Sequence, residues 1–154
     1  MATSAARMLA NEPEENDDDD EGEVEYGNSD QVSTNKTAHE FFAVLLQAAR
    51  SSHELHLSTR SFAEHMALDA LYSELPGHVD GLVESYQGVF GLITEYPANP
   101  PMPDMGNCVK FVTDLRAYVK AKRKEVSSKS EHQNDIDGIV TLLNQTLNKL
   151  KFLS

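Results

Sequence analysis

Apolar side chains recur every three or four positions in four stretches of this chain, and no stretch alternates as a half-buried strand does. The first helix is expected to start at Thr37, where Thr37-Ala38-His39-Glu40 has the T-x-x-E form of a capping box. Its predicted core stripe is Phe42, Leu46, Ala49, His53 and His56, which carries both histidines on the apolar face. A short turn at Leu57–Arg60 leads to a second box, Ser61-Phe62-Ala63-Glu64. The second helix then buries Leu68, Leu71, Leu75, Val79 and Leu82. Pro76-Gly77 lies inside it, so a kink or break is expected near Glu74–Gly77, because proline removes a donor and crowds the preceding turn. Gly88 and Gly91 loosen its end. The third helix runs over Cys108–Val126 behind an Asn107 cap, with Val109, Val112, Leu115, Tyr118 and Val119 as its apolar set. The fourth follows a third box at Ser130-Glu131-His132-Gln133 and continues to Phe152, with Ile136, Ile139, Val140, Leu143, Thr146, Leu147 and Leu150 at helical spacing.

The fold class is therefore all-α, and the connections suggest its topology. The first turn is short enough to make the first two helices antiparallel neighbours. Residues 95–107 are different, with prolines at 97, 100, 101 and 103. Extended, this segment reaches about 40 Å, more than the roughly 30 Å of a twenty-residue helix. It can return the chain along the bundle and start the third helix parallel to the second. One long proline-rich crossover of this kind is the mark of a ferritin-like four-helix bundle, expected over residues 36–154.

Charge is unevenly placed. Residues 1–35 carry eleven acidic groups and one basic group, whereas the other 119 residues are nearly balanced at a net charge of −2. With few large apolar side chains and the run Asp17–Glu21, residues 1–35 are expected to form a disordered acidic tail. The basic run Lys120–Lys124 suits a helix C-terminus, where cations complement the macrodipole. An overall charge of −12 gives no general attraction for nucleic acid. A lone cysteine, Cys108, excludes an internal disulfide and a cysteine-cluster metal site. No run is apolar enough to cross a membrane, and the acidic N-terminus lacks a secretory h-region. A cytoplasmic location is expected.

Candidate chemistry lies between Ser52 and Gly88. His65, Asp69, Asp80 and Glu84 fall at about 0°, 40°, 60° and 100° around one helix, a single edge. His53 and His56 sit three apart at the end of the preceding helix. Imidazole and carboxylate converging from two helices suit iron, manganese or zinc. Each residue taken alone is more simply an exposed helix position or a hydrogen-bonded histidine.

The same residues resemble a known family. The spacing from His53 through His65, Asp69 and Asp80 to Glu84 is similar to that of the ferroxidase ligands in Dps, the mini-ferritins of starved bacteria. The stretch from Thr37 to Leu153 also resembles an uncharacterised family of small Dps-like proteins of tailed phages. The shared features are HLSTRSFAEH, the Asp80/Glu84 pair before Tyr86-Gln87-Gly88, and a last helix like IVTLLNQTLNKLKFL. In that family the first histidine corresponds to His56, whereas the Dps spacing fits His53, so both stay candidates. The resemblance implies a homodimer or higher homo-oligomer. One subunit would give His53 or His56 with His65 and Asp69, its partner would give Asp80 and Glu84, and Fe(II) would be oxidised between them. Two features depart from Dps: the chain has no tryptophan to follow the first histidine, and its tail is acidic where DNA-binding Dps tails are lysine-rich. The alternative is a non-catalytic phage bundle that keeps the ferritin-like shape and binds a virion or host protein, in the virion or the host cytoplasm.

Overall fold

The computed structural model describes residues 31–153. Four helices account for most of them: α1 (Lys36–Ser58), α2 (Phe62–Phe90), α3 (Cys108–Val126) and α4 (Ser130–Phe152). They enclose one apolar core, in which Phe41, Phe42, Leu45, Leu68, Leu71, Leu75, Leu82, Phe111, Leu115, Ile136 and Ile139 are fully buried. The acidic run expected to be disordered lies outside the described residues.

Neighbouring helices are α1 with α2, α2 with α4, α4 with α3, and α3 with α1, which leaves α2 and α3 on a diagonal. Directions follow from the residues that meet. Asn35 at the start of α1 donates to the carbonyls of Glu125 and Val126 at the end of α3 (3.1 and 3.3 Å). The Tyr86 ring near the end of α2 lies 5.2 Å from Phe42 and 5.8 Å from His132 at the start of α4. Arg123 reaches Asp137, and Arg116 reaches Asn144. Each neighbouring pair is thus antiparallel, and α2 and α3 run the same way. One end of the bundle gathers the α1 start, α2 end, α3 end and α4 start. The other holds the α1–α2 turn, the α3 start and the α4 end.

The connection from α2 to α3 crosses between these ends over the outside of α1. Tyr96, Pro97, Ala98 and Pro100 line a shallow groove with Ala43, Leu46, Gln47 and Arg50 of α1. This crossing explains a difference on α1. The core face holds Phe41, Leu45, Ala48, Ser52 and Leu55, while Leu46 is 43% exposed and His53 is also exposed. The sequence FFAVLL is apolar all round, so spacing alone could not choose the face. The stripe through Leu46 is the one the crossover runs along. Ser52 joins the core by returning its hydroxyl to the Ala48 carbonyl (2.8 Å), which satisfies the group in the dry interior.

Helix starts also differ in detail. Asn35, not Thr37, caps α1 by accepting from the Ala38 N–H, and Glu40 instead accepts from the Tyr118 hydroxyl. Ser61 caps α2 as expected, and Asn107 caps α3. Glu64 does not close its box on Ser61; it accepts from Thr59 Oγ1, which itself accepts from the Ser61 N–H. At α4 the position before the helix is Lys129, with no side-chain cap. The turn there is held by Gln133, whose amide donates to the Arg123 and Ser127 carbonyls.

No break occurs at Pro76: α2 is a single helix of 29 residues. Pro76 points to solvent, between the buried Leu75 and Val79, so the carbonyl that loses its donor is on the wet side. The helix ends at Gly91, whose φ of +93° suits glycine. A Cβ there would also fall 2.5 Å from the Gln31 carbonyl oxygen. That carbonyl accepts from the Leu92 N–H, and Ser33 N–H donates to the Leu92 carbonyl. Residues 31–33, expected within the tail, therefore pair with the chain leaving α2.

Candidate functional site

Two polar clusters mark the two ends of the bundle. At the α1–α2 turn, the closeness of the helices brings His56 and His65 together with ring centroids 3.7 Å apart. His56 is buried, 7% exposed. Its Nδ1–H donates to the His65 carbonyl (2.9 Å), and His65 Nδ1–H donates to the His56 carbonyl (3.0 Å). Both imidazoles are thereby held in the tautomer whose Nε2 carries a lone pair. His53 is on the exposed side, stacked on Tyr72 at 4.2 Å and 6.0 Å from the His56 ring. Tyr72 also meets His56 edge-on at 4.9 Å and donates its hydroxyl to Asp69 (3.2 Å). Thus His53, His56, His65 and Asp69 join one network through Tyr72, a residue the spacing argument did not single out.

Asp80 and Glu84 do not join it. They continue the same edge of α2 toward the opposite end, and both are exposed. Among the described residues, no group of three or more His, Cys, Asp or Glu side chains lies close enough to hold a metal ion. Within one subunit, the donor set is two imidazole nitrogens without a third ligand, which does not fit a complete metal centre.

The opposite end has a cleft of about 560 Å³ between the start of α1 and the crossover, lined by Ser33, Lys36, His39, Glu40, Glu95 and Tyr96 among others. Ser33 Oγ lies 3.1 Å from His39 Nε2 and 3.3 Å from the Tyr86 hydroxyl. A serine beside a histidine is the beginning of a nucleophilic pair, but among the described residues nothing orients this imidazole further. Ser33 is buried and spends its backbone on Leu92. The pair fastens the entering chain to the bundle. Nearby, burial and then the Glu40 carboxylate push the Tyr118 phenol up to about 12. His132, which the sequence placed only at a helix start, is fully buried between Tyr86, Phe90 and Ser127, with Nδ1 2.8 Å from Ser127 Oγ and Nε2 without a partner among the described residues.

The turn end is also apolar. Leu57, Phe62, Phe152 and Leu153 are 70%, 79%, 75% and 66% exposed, and Met66 adds to them one turn beyond Phe62. All belong to the end of α1, the start of α2 or the end of α4.

The class is thus an all-α four-helix bundle whose histidines latch its first turn. The chain belongs to a family of unknown function, DUF5856, whose model matches residues 56–150, from the latch histidine to the last turns of α4. It is also similar to an uncharacterized 14.6 kDa protein in the mobD–ri intergenic region of Enterobacteria phage T4, at 37% identity over 67 residues. That match covers 44% of this chain and 49% of the phage protein, so the chain spans about half the length of the curated relative it matches. No solved structure matches the chain.

Proposed function

We propose that this protein is a non-catalytic helical bundle of a tailed phage that keeps a ferritin-like layout and binds a protein of the virion or host. The observation that carries this reading is the spending of the histidines on structure. His56 and His65 satisfy one another across the turn, and Asp80 and Glu84 stand apart on solvent. Likeness to a phage protein supports the setting. The exposed apolar end supports the mode of action, because soluble monomers rarely leave several large apolar side chains open at one end. Among the described residues no helix is long and apolar enough to cross a membrane.

The test is co-sedimentation of the purified chain with virions and with host extract fractions, comparing wild type with the Phe62→Ser/Phe152→Ser double variant. Both positions are exposed, so the variant should keep its helical circular dichroism while losing association. Equal association of both proteins would sink the reading.

A second reading is favoured by the tautomer of the latch. Metal-bound imidazoles commonly donate Nδ1–H to a carbonyl and bind through Nε2, as His56 and His65 are set to do. In this reading a homo-oligomer adds Asp80 and Glu84 of a second subunit, and the site takes iron, or manganese or zinc, with ferroxidase chemistry when iron is the substrate.

A further inference from the structure

We draw no further inference here: the strongest candidate, the cleft of about 560 Å³ between the start of α1 and the crossover, has its buried Ser33 bonded to His39 and Tyr86, and nothing in the structure shows which ligand it would take.

Discussion

His56 and His65 exchange hydrogen bonds like two residues of a ladder, each Nδ1–H donating to the other's backbone carbonyl, at 2.9 and 3.0 Å. The exchange closes the turn between α1 and α2, and it gives a partner to the His56 carbonyl, one of those that the end of α1 leaves without an intrahelical donor. It also stacks the rings at 3.7 Å, so each imidazole is held by its own bond and by the face of the other ring.

Removing either ring should therefore cost stability and not helix content. His56→Ala and His65→Ala each lose one bond, and His65→Ala also leaves the His56 carbonyl in the last turn of α1 unpaired, a loss worth about 1–3 kcal/mol. The double variant should lose less than the two singles added together, because each single already dissolves the stack. Urea unfolding of the four proteins measures the cycle. Strict additivity would mean that the two histidines act separately.

Glycine substitutions should have opposite signs on α2 and just after it. Gly77 and Gly81 are helical, exposed and open, with nothing within 4 Å of an added Cβ. Gly77→Ala and Gly81→Ala should each stabilise by about 1 kcal/mol. Gly91→Ala should destabilise by at least about 1 kcal/mol, since it needs a positive φ and meets the Gln31 carbonyl. Thermal unfolding reads all three. A destabilising Gly77→Ala would show that α2 is packed on its outer face in solution.

The sequence carried the helices and most of the core, because Leu68, Leu71, Leu75, Val79 and Leu82 repeat at a period that only one face of a helix satisfies. It could not carry the facing of α1, where apolar residues surround the helix and the crossover covers a second side. Pro76 misled for a related reason. Proline removes one bond and crowds the preceding turn, but here Pro76 stays wet while the buried Leu75 and Val79 on either side of it hold α2 as one helix. At the site, spacing placed His65, Asp69, Asp80 and Glu84 on one edge but could not say what lay opposite. The short turn that brings two backbone carbonyls within reach of the rings is a tertiary fact. Tyr72 was also invisible, since its role depends on His53 from another helix.

Alkaline titration should single out Tyr118. Burial first, and then the Glu40 carboxylate at 3.5 Å from its hydroxyl, raise this phenol to about 12 from the ordinary 10.0. A group whose folded pKa is raised stabilises fully below its unfolded pKa and loses that contribution as pH rises through the folded value. Stability should thus fall between pH 10.0 and about 12, and Tyr118→Phe should flatten that fall. Phenolate absorbance should show the late-titrating tyrosine, moved earlier in Glu40→Gln. An unchanged profile in both variants would remove the assignment.

Metal binding separates the two functional readings. If the bundle is an interaction protein, titration of Fe(II) or Mn(II) into the chelator-free chain should give no stoichiometric heat in wild type, Glu84→Gln or His65→Ala. The physical reason is the missing third ligand: two Nε2 lone pairs alone hold a divalent ion weakly, and the carboxylates at Asp80 and Glu84 are too far along α2 to complete a shell within one subunit. If instead two subunits assemble the site, wild type should bind one ion per shared site and sediment as a dimer or larger. Glu84→Gln should then weaken binding with the helical content intact, because it removes a charge from the shell and touches no core residue. His65→Ala should weaken binding too, but it also opens the turn, so its stability must be read beside its affinity. Heat in wild type that disappears in Glu84→Gln would replace the interaction reading with the metal one.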